Sequence, residues 1–380
     1  MVGGGQGSFI GAVHRIAMAM DQQVELCAGV FSRDEANSQA TGEKLHVDPS
    51  RIYKTYQEMA AGEAALPADQ RIDFVSIVTP NNAHFGPSKT FLDAGFHVVC
   101  DKPMTLTFEE AQELVGIVER SGLVFGLTHN YTGYPLVRHA RHLFQSGQMG
   151  TVRKVLVEYL QDWLSKPQEK LGSKQASWRT NPAESGIGGA LGDIGTHALN
   201  LVEYITGDPV VEICADKSIF LPNRTLDEDV NALLRFEGGG KGVLTISQVA
   251  TGEENGLRLR VYASEGAITW SQENPNVLEL ARFGQPKQIL TRGHAEYLCE
   301  EATNATRIPT GHPEGYLECF ANVYLGAIEA IRAHIAGTPM AISEYRCPNV
   351  YDGLRGMQFI YKAVESADAG AVWVPMKKAE

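Results

Sequence analysis

Over the first third of the chain, apolar β-branched runs alternate with helical patterns. VELCAGVF at 24–31, IDFVSIVT at 72–79, FHVVC at 96–100 and LVFGLTH at 123–129 read as strands, with helices at 87–94 and 107–121. Strand runs separated by helices predict βαβ units and a parallel sheet covered on both faces. TFEE at 107–110 is a capping box, which gives the second of those helices a defined start at Thr107. From about residue 150 the runs lengthen and alternate, as in VRKVLVEYL, NALLRFEGGGKGVLTISQVA and LRLRVYASEGAITW. Glycine-containing turns between alternating runs predict antiparallel hairpins in a second, α+β domain with a broad, open sheet. Helical patterns return at 314–337 and 351–369. The division expected is 1–128 and 129–380.

Length and composition narrow this picture. A chain of 380 residues, 43% hydrophobic and 21% charged, supports two globular cores. Its formal net charge of -12 repels phosphate backbones and anionic lipid surfaces, so neither nucleic acid nor membrane is expected as a partner. The six cysteines lack CxxC spacing and read as reduced packing residues of a cytoplasmic protein. No apolar run approaches the roughly 18 residues of a membrane span, and no basic segment precedes an apolar core at the N-terminus.

Candidate chemistry begins at GGGQGSFIG, residues 3–11, ahead of a helical pattern. A glycine loop entering a helix is where a dinucleotide fold seats its pyrophosphate. Gly3 and Gly5 with Ser8, or Gly5 and Gly7 with Ile10, only partly satisfy GxGxxG, and Gly11 could close a longer loop; Phe9 and Ile10 open the helix. Only Met1 and Val2 precede the glycines, so the chain as given is expected to start inside its first strand. After the second run, Ser32 and Arg33 stand where an NAD-binding fold carries a carboxylate for the ribose 2′-hydroxyl. They could hold a 2′-phosphate, which favours NADP over NAD, although Asp34 follows one residue later. Thr79, Pro80, Asn81 and His84 end the third run and offer either cofactor contacts or a helix cap.

VVCDKP at 98–103 delivers Lys102 to the same sheet edge, with Asp101 before it and Pro103 after it. The carboxyl edge of a parallel sheet suits a lysine for chemistry better than for packing. Downstream, GIGGALGDIGTHALNLVEYITG at 186–207 sets Asp193 and His197 four residues apart. At α-helical spacing they share one face with Asn200 and Tyr204, and the carboxylate can support the imidazole as a general base. A capping aspartate beside a hydrogen-bonded histidine is the structural alternative. Without HExxH or Cys/His spacing, no metal is expected, and RHARH at 138–142 reads as a solvated helix face.

A glycine loop, TPNNAH, DKP and GGALGDIGTH in this order resemble the Gfo/Idh/MocA family, over nearly the whole chain. The resemblance implies an N-terminal Rossmann domain binding NAD(P) and a C-terminal α/β domain with a large, mostly antiparallel open sheet. It also implies homodimers or homotetramers formed through that sheet, and oxidoreduction at one carbon of a sugar, cyclic polyol or related compound. Its EKP motif maps onto Asp101, Lys102 and Pro103, and its helix Asp and His onto Asp193 and His197. In these roles Lys102 hydrogen-bonds the reacting oxygen, His197 exchanges its proton and Asp193 supports them. Asn130, Tyr131, Trp178 and Arg179 become cleft residues for substrate, with Trp163, His312 and Tyr316 as further aromatic or polar additions. Three departures stand out: Asp101 replaces Glu, the glycine loop is long, and Asn200 takes a place where many members carry Asp. A regulatory protein that binds a dinucleotide or sugar without turnover, and a dehydrogenase of a non-carbohydrate diol, are the alternative functions.

Overall fold

The computed structural model describes residues 1–376. They divide into two compact units, Met1–Asn130 with Phe320–Leu354, and Tyr131–Cys319 with the segment from Arg355 onward. In chain order the first unit contains strands β1 (Val2–Gly3), β2 (Phe74–Val78), β3 (His97–Cys100) and β4 (Phe125–Leu127). Between them run helices α1 (Phe9–Met20), α2 (Glu35–Lys44), α3 (Tyr56–Ala64), α4 (Phe85–Asp93) and α5 (Phe108–Ser121). The sheet is parallel in the order β1-β2-β3-β4, and parallel bridges add Val30 beside Val2 and Ile52 beside Gly29. Counting those bridges, the spatial order is the doubly wound 3-2-1-4-5-6, which reverses at β1 and places the switch point beside the glycine loop. The run at 24–31 differs from expectation. Its neighbour β1 spans two residues, and within the run only Gly29 and Val30 form β-bridges, with Ala28 and Phe31 accepting single hydrogen bonds from Met1 and Gly5. The capping box forms as expected: Thr107 Oγ1 accepts from the Glu110 amide, and the Glu110 carboxylate accepts from the Thr107 amide.

The expected boundary places everything after 128 in one domain, yet residues 320–354 belong to the first unit. Buried polar groups there account for this. The Tyr324 hydroxyl hydrogen-bonds His14 Nδ1 (2.6 Å) and Ser76 Oγ (2.8 Å), and the Leu127 amide donates to the Pro348 carbonyl (2.8 Å). Val124, Ala330 and Ile331 form a shared core cluster, packed by Phe74, Met340 and Tyr345.

In the second unit, α6 (Pro135–Gln145) precedes β5 (Val152–Leu160) and two short helices, α7 (Lys174–Arg179) and α8 (Pro182–Ser185). Then follow α9 (Thr196–Thr206), β6 (Val210–Ser218), β7 (Asp229–Phe236), β8 (Lys241–Ser247), β9 (Gly256–Ala263), β10 (Gly266–Ser271), β11 (Val277–Arg282) and β12 (Gln288–Thr291). With β13 (Val374–Pro375) they make a nine-stranded sheet in the order β12-β11-β10-β9-β5-β8-β7-β6-β13. Every neighbouring pair is antiparallel except β5 with β8. Alternation divides its two faces. One cross-strand row, Leu234, Gly242, Val155, Val261, Ile268 and Leu280, is buried. On that side α9 packs on β5 and α6 on β11. The next row, with Leu233, Val243, Leu156 and Arg260, faces the other way, and Leu233 is 49% exposed. No helix among the described residues is long and apolar enough to cross a membrane.

Several histidines are buried in these cores in neutral form. His97 Nδ1 accepts the Val124 amide and His139 Nδ1 the Cys299 amide, so neither nitrogen carries a proton. Burial pushes His14, His97 and His139 down to about 4 and His129 to about 3. In the unfolded chain each protonates near 6.5, so the unfolded state takes up more protons as pH falls through that value. Each such group then removes up to about 1.4 kcal/mol of stability per pH unit until its folded value is reached. Denaturant midpoints are therefore expected to fall steadily from pH 7 to pH 4.5; a flat profile would contradict neutral burial.

Candidate active site

In the first unit, the predicted cofactor residues gather at the carboxyl edge of the parallel strands. Gly3, Gly5 and Gly7 carry the chain out of β1, and Ser8 caps α1 by accepting the Gly11 amide (3.3 Å), with Phe9 and Ile10 opening the helix. A Cβ on Gly11 would lie 2.3 Å from the Gly4 Cα, an approach only glycine permits. Gly7 faces open space. A glycine turn that enters a helix N-terminus, with open space at Gly7, fits a pyrophosphate. At the next strand end, Arg33 is exposed, while Asp34 caps α2 by accepting the Asn37 amide (3.2 Å) and Ser32 Oγ accepts the Asp34 amide (3.1 Å).

Two further loops meet through His84. Thr79 Oγ1 donates to the Ala83 carbonyl, and Pro80 leads into a short turn holding Asn81, which is buried. His84 is 1% exposed; its Nδ1 lies 2.7 Å from the Pro103 carbonyl oxygen and its Nε2 2.8 Å from that of Thr79. A neutral imidazole has one N–H and donates to only one of them. Burial pushes this histidine down, against the pull of Asp101 and both carbonyls. Asp101 Oδ1 accepts from the Lys102 amide and from Thr128 Oγ1, both at 2.8 Å. Burial raises its carboxyl, but His14, Lys102, His84 and the Thr128 hydrogen bond bring it below the usual value. Lys102 is half-buried on a cis peptide to Pro103, and Asn130 is buried just beyond β4.

The second unit holds the other predicted group. Leu191–Gly195 forms a π-helical turn leading into α9, so the Asp193–His197 spacing is not the α-helical one the sequence implies. Turns of this kind often occur at functional sites because they redirect side chains. Asp193 Oδ2 accepts from Arg179 Nε (3.1 Å) and Gln248 Nε2 (2.8 Å). The Arg179 guanidinium lies over Trp178, 4.2 Å from the ring centre, and 5.8 Å from that of Trp163. His197, 7% exposed, meets Tyr131 edge-on at 4.8 Å between ring centres, with Tyr159 at 6.4 Å. Tyr131 and Tyr159 hydrogen-bond to each other, and Tyr159 donates to Asn255 Oδ1 (2.8 Å). Burial pushes Tyr131 up to about 12, so it stays a neutral phenol at working pH. Asn200 is buried on α9, Tyr204 lies against Arg141 of α6, and Tyr316 packs near Tyr131. Among the described residues, no group of three or more His, Cys, Asp or Glu side chains could hold a metal ion.

Residues 1–129 match the model of an oxidoreductase family with an NAD-binding Rossmann fold, and residues 137–269 match the GFO/IDH/MocA C-terminal domain. An uncharacterized oxidoreductase, YfiI of Bacillus subtilis (strain 168), is 33% identical over 380 residues, 99% of this chain and 96% of its own. The chain belongs to the GFO/IDH/MocA oxidoreductase family. Among solved structures, an inositol dehydrogenase homolog from Azotobacter vinelandii complexed with NAD+ has a TM-score of 0.95 at 36% identity. An inositol dehydrogenase homolog from the same organism complexed with NADH and myo-inositol has 0.92 at 35%. Each match covers 99% of this chain and 96% of the other. As a GFO/IDH/MocA oxidoreductase, the chain is an NAD(P)-dependent dehydrogenase or reductase of CH–OH groups.

Sequence patterns pass over Gln248, Tyr159 and Asn255. Gln248 follows β8, is 2% exposed and holds the Asp193 carboxylate, but a single polar residue after an alternating strand carries no motif. Gln248→Leu removes a donor from Asp193 Oδ2. Steady-state kinetics should show kcat reduced roughly 10- to 100-fold with unchanged NADH affinity. An unchanged kcat would leave Gln248 a packing residue.

Proposed function

We propose that this oxidoreductase moves a hydride between nicotinamide and a hydroxyl-bearing carbon of a sugar, cyclic polyol or related compound. The observation that carries the reading is a buried histidine against tyrosines, on the helix that follows an arginine- and glutamine-held carboxylate. The first unit separately carries a strand-end lysine, and the chain is similar to one complexed with NADH and myo-inositol. Oxidising a C–OH carbon requires the hydroxyl proton to leave and the developing carbonyl oxygen to be held. Lys102 hydrogen-bonds that oxygen, His197 accepts or returns its proton, and Asp193 supports the arrangement. Nicotinamide, when bound, supplies the hydride chemistry. Arg179 and Gln248 keep Asp193 an acceptor, which suits a substrate hydroxyl, and Asn200, Asn130, Tyr131 and Trp178 complete the substrate contacts.

At the adenosine end, Asp34 is committed to capping α2 and Arg33 is exposed, which supports NADP over NAD. The open sheet face, with Leu233, Val243 and Leu156 in one row, supports a homodimer or homotetramer. Six cysteines, none in a disulfide among the described residues, suit a reducing cytoplasm.

The test is a fluorescence titration with NADH and NADPH, followed by a screen of sugars and polyols, myo-inositol included. Lys102→Ala and His197→Ala should each cost roughly 100- to 10,000-fold in kcat. Arg33→Ala should weaken NADPH about tenfold and leave NADH unchanged. Tight cofactor binding without turnover would favour a regulatory protein or a non-carbohydrate substrate, and no binding of either cofactor would sink the reading. Leu233→Lys should shift the mass measured by light scattering toward the monomer; an unshifted mass would place the interface elsewhere.

A further inference from the structure

Three consecutive amides of the glycine run end on one residue. Asp227 Oδ1 accepts from Gly189 (2.7 Å), its carbonyl from Ala190 (2.9 Å) and its Oδ2 from Leu191 (2.8 Å). Asp227 lies 36 to 38 positions downstream, just ahead of β7, and is 4% exposed. The first amides of a helix have no partner within it and are ordinarily taken by a side chain immediately upstream. Here neither Ala190, at the start of the π turn, nor Gly195, at the start of α9, provides a side-chain cap. A remote carboxylate takes that role. The fit is close: a Cβ on Gly189 would lie 2.2 Å from the Asp227 carbonyl oxygen. Asp193 stands two residues beyond the last clamped amide and His197 six beyond.

We infer that Asp227 is a positioning residue for the reaction, fixing where the π turn begins and so how Asp193 and His197 are presented. The inference rests on the proposed roles of those two residues. A capping contact that only stabilises the fold would behave differently, and the two separate by experiment. Asp227 touches no reacting group in this reading, so its loss should act on kcat through geometry.

The experiment uses full-length Asp227→Ala, with Asp227→Asn, which keeps one accepting oxygen, as a milder variant should the first not fold. Hydrogen exchange read by mass spectrometry should show peptides spanning 186–200 exchanging roughly tenfold faster, with the rest of the sheet unchanged. With myo-inositol and NAD(P)+ as probes, kcat should fall roughly 10- to 100-fold while the cofactor KM stays within about twofold. The proton NMR signal of His197, assigned with His197→Ala, should move in both variants. Lower melting temperature with wild-type kcat and an unmoved His197 signal would overturn the inference, as would unchanged exchange at 186–200. If the wild-type protein turns over no probe, the sugar or polyol reading fails, and the exchange and His197 signals still decide whether Asp227 positions the helix.

Discussion

A parallel sheet leaves the carboxyl ends of its strands with polar backbone that the sheet itself cannot pair, and the first unit is organised around that constraint. Each chain leaving the edge has to find partners for its amides and carbonyls within a few residues. Thr128 and the Lys102 amide converge on Asp101, and His84 reaches back to the carbonyls of Thr79 and Pro103. The same contacts that satisfy buried polar groups hold three loops in register at the edge that carries the glycine turn. Asp101 does this one methylene shorter than the family's glutamate and remains ionised beneath the lysine segment.

The second unit meets a different demand, which is to bring a helix onto a sheet while presenting polar groups from it. Glycines make the approach possible. Gly195 sits where a side chain would strike Ile246 of β8, at 2.9 Å from its Cδ1, and Gly189 lies against the Asp227 backbone. A run of small residues allows contact, and Asp193 within it finds partners just beyond a strand and on a short helix. The carboxylate of Asp193 is thus held by Gln248, just after β8, and by Arg179, which lies against two tryptophan rings. A guanidinium and a side-chain amide share one carboxylate oxygen in a partly buried corner, where such bonds are stronger than in water.

What could be read from the chain alone was what local pattern encodes. The capping box at Thr107, the strands at β2, β3 and β4, and the alternation of β7 through β10 depend on near neighbours, and all were legible. Lys102, Asp193 and His197 were visible because motifs surround them. Less legible were features fixed by distant partners: Gln248 and Asp227 bond the π turn and the glycine run from beside strand ends, and Tyr324 joins the first unit through His14 and Ser76. The π turn was also hidden, since spacing of four reads as α-helical until the extra residue in the turn is seen. At 24–31 the propensity was strand-like, but a strand needs a paired neighbour and only Gly29 and Val30 form β-bridges.

Because residues 320–354 complete the first unit, the dinucleotide-binding half is not a contiguous stretch of chain. During synthesis, the segment through Asn130 emerges long before the tyrosine that its buried His14 and Ser76 bond to. At roughly 5–20 residues per second the wait is on the order of ten to forty seconds. Throughout that interval the early half has an unfilled face and an unpaired imidazole, while the second sheet can assemble most of its strands. The order of translation is therefore the reverse of the order of completion: the part made first is among the last to close.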